Sequence, residues 1–108
     1  MKIITKEIAR KLPPLYANES KKPEDTPVVF KLFNPCGAGT WYITEGELDP
    51  AGDHTQSTLF GLCCIHDAEL DYVNLGELLG TKLRFGLKIE RDLHWEGTLA
   101  DAMRIEKG

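Results

Sequence analysis

Three runs rich in β-branched and aromatic residues, joined by short turn-forming segments, restrict the fold of this chain most. The runs are "VVFKLF" from Val28 to Phe33, the segment that begins "TWYIT" at Thr40, and "STLFGLCCI" from Ser57 to Ile65. The connections "NPCGAG" and "AGDHTQ" contain the residues that favour turns. Strands joined by such short connections predict an antiparallel meander. The first run is mostly apolar on both faces, which predicts a strand inside the sheet.

Short helices are predicted on either side of these strands. Near the start, "TKEIARKL" has apolar residues four apart and is followed by two prolines, which predicts a short surface helix that stops there. Asn74 precedes a second short helix with Glu77 at its third position, and Thr98 with Asp101 begins a final one. We therefore expect residues 1–108 to form a single α+β domain, an antiparallel sheet with short helices on one face or end.

Charge is distributed unevenly along the chain. The net charge is -4, but none of the 13 lysines and arginines lies between Leu32 and Thr81. Eight acids occur in that segment: Glu45, Glu47, Asp49, Asp53, Asp67, Glu69, Asp71 and Glu77. Like charges grouped in this way make the local potential negative and attract a basic partner. The middle of the chain is therefore predicted to be an anionic module.

Glu45, Glu47 and Asp49 stand at every second position after the "TWYIT" segment. If the strand continues through them, their side chains project to one side at spacings of about 6.8 Å. We therefore expect an acidic surface that is complementary to a basic groove. The pattern supports this interpretation better than it supports detailed imitation of DNA. The expected partner contacts are Glu45, Glu47, Asp49, Asp53, Asp67, Glu69 and Asp71, with Trp41 as the aromatic anchor if it is exposed.

An alternative is a small metal-dependent enzyme or accessory domain. Each histidine lies beside or near an acid, and His66, Asp67 and Glu69, extended by Glu90 and Asp92, would supply its groups. Their spacing matches no metal-ligand signature, so no metal and no cofactor is expected. A third possibility is a structural accessory protein that binds another basic partner.

The three cysteines are expected to be free thiols. Their number is odd, and the adjacent pair Cys63 and Cys64 seldom suits a disulfide. Either thiol with His66 would make a nucleophile pair, but no orienting third group or oxyanion hole is evident. These residues therefore do not predict catalysis.

Other partner classes are not expected. Trp41, Tyr42 and Phe60 would suit stacking on single-stranded nucleic acid, but they lie in the segment without bases, where phosphate is repelled. The longest apolar stretches, such as Leu59–Ile65, are too short to cross a bilayer, and the start of the chain does not resemble a signal peptide. We expect a cytoplasmic protein that does not bind nucleic acid directly or contact a membrane.

Several segments together resemble one small family of unknown function. They are "LPPLYANE", "TWYITE", "LFGLCCIHDAELDY" and "GLKIERDLHWE", and their order spans about Thr5 to Glu96. Asp71 departs from the glycine expected before the tyrosine. Members of the family occur on plasmids, phages and other mobile elements, and some resemble inhibitors of type II-A CRISPR immunity, the anti-CRISPR type II-A group seven. The resemblance implies a cytosolic α+β inhibitor of an RNA-guided nuclease in a bacterial host cell, and it implies no catalytic residues.

Overall fold

A five-stranded antiparallel sheet organises the chain. The computed structural model describes residues 3–50 and 56–107. The strands are β1 (Phe30–Phe33), β2 (Thr40–Glu47), β3 (Thr58–Cys64), β4 (Ala68–Asn74) and β5 (Glu90–Arg91). Their order across the sheet is β4-β3-β2-β1-β5. The first four form a meander, and β5 returns to pair with β1. The prediction that the first strand lies inside the sheet is therefore confirmed.

The described residues include three short α-helices, and each begins at a capping side chain. They are α1 (Lys6–Lys11), α2 (Leu75–Leu79) and α3 (Leu99–Lys107). The Asn74 side chain accepts a hydrogen bond from the backbone N–H of Glu77 at 2.9 Å. Thr98 and Asp101 exchange side-chain to backbone hydrogen bonds at 2.9 and 3.2 Å, which is a reciprocal capping box. The predicted starts of α2 and α3 are confirmed.

Two apolar clusters pack on opposite faces of the sheet. The α2 face is built from Phe30, Leu32, Trp41, Ile43 and Leu59, and it packs against the N-terminal residues and α2. The α3 face is built from Val28, Tyr42, Leu62 and Cys64, and it packs against Leu99 and Ala102 of α3. Because paired residues on neighbouring strands share a face, the register alone assigns most of these side chains. The α+β antiparallel prediction is confirmed, with helices on both faces.

A β-bulge in β2 changes which face its later residues occupy. Ile43 pairs with Gly61, whereas Glu45 pairs with Phe60, so Thr44 is the extra residue. In a regular strand Glu45 would project with Ile43 into the α2 face. The bulge places both Glu45 and Glu47 on the α3 face instead.

β1 ends its pairing with β2 at Ile43, which leaves the remainder of that β2 edge open to another segment. The loop after α1 fills it, because the backbone N–H of Gly46 donates to the carbonyl of Pro13 at 3.0 Å. The chain therefore brings residues after Pro13 next to the bulge. Within the described residues, no helix is long and apolar enough to cross a membrane.

Replacement of Gly61 with alanine is expected to destabilise the fold. A Cβ at this position would lie 1.9 Å from the backbone oxygen of Tyr42, and a central strand cannot move away without breaking its ladder. We expect Gly61→Ala to lower the free energy of unfolding by about 2 kcal/mol or more, as measured by urea denaturation. Gly37→Ala is the matched control, because nothing lies within 4 Å of the Cβ it would add. Equal midpoints for the two variants would contradict this account of the β2–β3 pairing.

Candidate functional site

A cleft on the α3 face lies where the loop after α1 crosses β2, β3 and β4. Its volume is about 460 Å³, which falls within the range of small-molecule and side-chain binding pockets. Its walls include Tyr16 and Asn18 from the loop, Glu45 from β2, Phe60 from β3 and Tyr72 from β4. We call this the Glu45 cleft, because that carboxylate lies at its base.

Glu45 is a buried acid that holds the loop in place. Only 4% of its surface is exposed. Its carboxylate accepts hydrogen bonds from the backbone N–H of Tyr16 at 2.5 Å and from the Asn18 amide at 3.2 Å. The Asn18 amide also donates to the Thr44 carbonyl at 3.3 Å. These contacts join positions almost thirty residues apart, so the carboxylate links the N-terminal loop to the sheet.

Aromatic rings form one wall of the Glu45 cleft. Phe60 and Tyr72 pair across β3 and β4, with ring centroids 4.9 Å apart, and Tyr16 meets Tyr72 edge to face at 6.4 Å. Tyr16 and Tyr72 remain 62% and 48% exposed. Tyr16 also has a positive φ of 71°, an unfavourable conformation for a residue with a Cβ. The rings therefore form an open apolar surface directly beside a buried carboxylate.

The charge at the cleft is predominantly negative. Glu19 and Lys21 line the cleft as exposed residues, which places them at its rim, and Glu45 lines it as a buried residue. The pKa of the Tyr72 hydroxyl is raised, first by its hydrogen bond with Tyr16, then by desolvation and by nearby negative charge, including that of Glu45 and Glu19. Negative charge from the base and rim of the cleft therefore acts at its aromatic wall.

The structure corrects the expectation that three carboxylates align on β2. Glu45 is buried in hydrogen bonds, whereas Glu47 is exposed on the same face. Asp49 lies beyond the end of β2 and is only partly exposed, and its backbone N–H donates to Ser57 Oγ at 2.7 Å. Asp53 lies outside the described residues. The predicted row is therefore reduced to one fully exposed side chain in the described part of the strand.

The acids after β3 lie on the edge of the sheet. Asp67 is in the turn before β4, and Glu69 and Asp71 are in β4; all three are exposed. Glu69 pairs with Cys63 and Asp71 pairs with Gly61, which places them on the side of the α2 face. Glu45 and Glu47 project to the opposite side. The predicted contacts therefore do not form one continuous acidic face.

Trp41 does not meet the condition under which it was expected to be an anchor. It pairs with Leu32 and Cys63 and is 7% exposed within the α2-face cluster. Gly39 lies directly against its ring, so a Cβ there would come within 2.8 Å of the indole. The sequence placed Trp41 in a strand. It did not show that the face of the sheet that carries Trp41 is covered by the N-terminal residues and α2.

The residues of the alternative metal site are separated by the width of the sheet. His66, Asp67 and Glu69 belong to the β3–β4 edge, and Glu90 and Asp92 belong to β5 or its end. Four strand spacings correspond to roughly 19 Å. Asp92 instead pairs with Lys31 at 3.6 Å. Across residues 3–50 and 56–107, no group of three or more metal-ligating side chains is assembled.

The adjacent cysteines are structural thiols in the described sheet. Burial raises the pKa of Cys63 to about 11 and that of Cys64 to about 12, with the nearby acids Asp71 and Glu106 adding to the respective shifts. Both thiols are therefore protonated near neutral pH, and the thiolate is the nucleophilic form. Cys36, Cys63 and Cys64 are all free, which confirms the prediction of unpaired cysteines.

Sequence reasoning missed the residues that make the cleft. Tyr16, Asn18 and Tyr72 occur in segments that support the family resemblance, "LPPLYANE" and "LFGLCCIHDAELDY", but their convergence on Glu45 depends on long-range pairing. The two prolines before Tyr16 were the feature of the sequence that could have indicated the cleft. They restrict the backbone to a stiff, extended conformation just before the loop reaches the sheet.

One comparison with known proteins gave a match. A family model described as "Protein of unknown function (DUF2958)" matches residues 3–105. Neither the curated proteins nor the solved structures contain a match.

Removal of the Glu45 carboxylate is expected to destabilise the protein. Glu45→Ala removes the acceptor of the Tyr16 N–H and one of the two acceptors of the Asn18 amide, and we expect a loss of about 2 to 3 kcal/mol in the free energy of unfolding. Glu47→Ala is the matched control, since it removes an exposed acid two residues along the same strand and is expected to change stability by less than about 0.5 kcal/mol. Urea denaturation of both variants measures the difference. Similar losses in the two would show that Glu45 does not anchor the loop.

Proposed function

The chain belongs to the family described as "Protein of unknown function (DUF2958)", and from that premise we propose that it is an anti-CRISPR inhibitor. It binds an RNA-guided type II-A Cas nuclease non-covalently and hinders DNA engagement or later activation. The proposal also draws on the resemblance of its segments to the anti-CRISPR members. It places the protein in the cytoplasm of a bacterial host cell, where the nuclease acts.

One observation carries the proposal most: an exposed acidic edge of the sheet whose carboxylates form no ion pair with the described lysines and arginines. β4 is the outermost strand, and Asp67, Glu69 and Asp71 are exposed along it. Throughout the described ranges 3–50 and 56–107, no lysine or arginine forms an ion pair with any of the three. A surface of this kind gains free energy when a basic partner approaches it.

The expected partner supplies the complementary charge. RNA-guided nucleases of the Cas9 type hold their guide duplex and DNA in positively charged channels. An acidic edge is steered toward such a channel at long range, and the attraction falls as salt screens it. Inhibition therefore requires only occupancy of the channel or its mouth. The edge strand and the turn before it form the main part of the proposed contact, Glu47 adds negative charge on the opposite, α3 face, and no catalytic step is needed.

Direct inhibition is tested by titrating a guide-loaded type II-A nuclease with the purified protein and measuring cleavage of a target plasmid. We expect cleavage to fall with increasing protein, and a complex to elute together in gel filtration at low salt. Nuclease without guide RNA shows whether loading is required. Full cleavage at a large excess of protein, with no complex at low salt, would contradict the proposal for that nuclease.

The acidic edge is tested by the double variant Glu69→Lys and Asp71→Lys. Charge reversal at two exposed edge positions is expected to weaken nuclease binding roughly tenfold or more, because like charges oppose one another across the interface. Glu24→Lys with Asp25→Lys is the matched control, since it makes the same change in net charge at exposed positions outside the segment without bases. The dissociation constant of each variant is measured by surface plasmon resonance on the immobilised nuclease. Equal weakening by both double variants would assign the effect to net charge and remove the edge from the mechanism.

A further inference from the structure

The Glu45 cleft combines features that suit one class of ligand. Three aromatic rings, from Tyr16, Phe60 and Tyr72, line a volume of about 460 Å³, and a buried carboxylate lies at its base. Planar cations bind to aromatic faces and to carboxylates in this manner. We propose that the Glu45 cleft binds the guanidinium group of an arginine side chain on a protein partner.

The Glu45 carboxylate has more hydrogen-bond acceptor positions than its neutral protein donors occupy. Its protein donors are the Tyr16 N–H, the Asn18 amide and, at 3.4 Å, the Thr44 hydroxyl, all uncharged, and none of the described lysines or arginines is ion-paired with it. A carboxylate has about four acceptor positions. Burial without a countercharge is unfavourable for a carboxylate. A cation delivered from outside supplies both the missing charge and further hydrogen-bond donors.

The aromatic wall gives the cleft its preference for arginine over lysine. Tyr16 and Tyr72 present exposed ring surface beside the carboxylate, and Phe60 extends it inward. A guanidinium is planar, stacks on rings and is more weakly hydrated than an ammonium group. It therefore loses less solvation free energy on entering an apolar cleft. A neutral side chain of the same shape retains the stacking but forfeits the attraction to Glu45.

Lys21 supplies an internal check on the sign of the charge effect. It lies at the rim of the cleft, where its ammonium group repels an incoming cation. If the ligand is cationic, removal of this charge strengthens binding. If the cleft merely packs apolar groups, the same change has no such effect.

This inference rests on the proposed function in one respect, which is that the partner is a basic protein. The inference concerns the chemical group that enters the cleft, whereas the proposed function concerns the nuclease. Its test uses no nuclease. A nuclease that binds while the arginine probe does not would refute the cleft alone. Probe binding without nuclease inhibition would refute the nuclease proposal and leave the cleft intact.

The probe is the blocked peptide acetyl-Gly-Arg-Gly-amide, titrated into the full ¹⁵N-labelled chain. The matched control is the same peptide with citrulline, which is nearly isosteric and uncharged, and a lysine peptide provides a third arm. We expect the arginine peptide to shift the amide resonances of Tyr16, Asn18 and Tyr72 with the tightest affinity. The citrulline peptide is expected to bind about fivefold or more weakly.

Two surface variants separate cleft binding from general charge attraction. Tyr72→Ala removes a partly exposed ring and is expected to weaken arginine binding about fivefold, whereas Leu93→Ala, an exposed apolar truncation near the opposite edge of the sheet, leaves it unchanged. Lys21→Met is expected to strengthen it about twofold. Circular dichroism confirms the fold of each variant, and Lys21→Met keeps the test decisive if Tyr72→Ala unfolds.

The outcomes discriminate clearly. Arginine selectivity over citrulline, with opposite responses to Tyr72→Ala and Lys21→Met, supports the proposal. Equal binding of arginine and citrulline peptides, absence of shifts at the cleft, or weaker binding after Lys21→Met would overturn it. Tighter binding of the lysine peptide would show that the cleft takes an ammonium group and would overturn the assignment to arginine.

Discussion

The β-bulge at Thr44 is the constraint on which the rest of the architecture depends. It lets Ile43 remain in the α2-face cluster while Glu45, two residues later, projects to the opposite side of the sheet. A regular strand would direct a carboxylate into an apolar core, at a cost that no described cation offsets. The bulge avoids that cost and places the carboxylate where the N-terminal loop supplies hydrogen-bond donors. One extra residue therefore allows β2 to carry a charged residue two positions after a core isoleucine.

The same bulge changes the electrostatic character of the molecule. The acids of β2 and those of β4 project to opposite sides of one sheet, and Glu45 is withdrawn from the surface altogether. The described surface therefore has two separate features, an acidic edge strand and a cleft, and not a uniform acidic face. Edge strands that carry charge are also protected against unwanted pairing with another sheet. The exposed carboxylates of β4 thus disfavour pairing of this edge with another sheet.

Much of this fold is predictable from local pattern, whereas the site is not. Strands β1 to β3 follow from β-branched and aromatic runs, and the helix starts at Asn74 and Thr98 follow from capping chemistry. β4 was not predicted, although Leu70 and Tyr72 alternate with Glu69 and Asp71, because the alternation spans only four residues and both of its faces are exposed at this edge of the sheet. The burial of Glu45 was equally inaccessible, since it depends on the bulge and on donors in a loop that is distant in sequence. Local rules thus identify elements, while long-range hydrogen bonds decide which carboxylates face solvent.

The loop after α1 couples the stability of the fold to the shape of the cleft. Tyr16 adopts a left-handed conformation that costs of order 1–3 kcal/mol for a residue with a side chain. The hydrogen bond that the Tyr16 N–H donates to Glu45 offsets that cost. The Pro13 carbonyl, which accepts from the Gly46 N–H, holds the loop beside β2. A ligand that contacts the Tyr16 ring binds only the state in which the loop is docked on the sheet. Its binding therefore stabilises the docked state of the loop. The strained tyrosine therefore makes the wall of the cleft dependent on the carboxylate at its base.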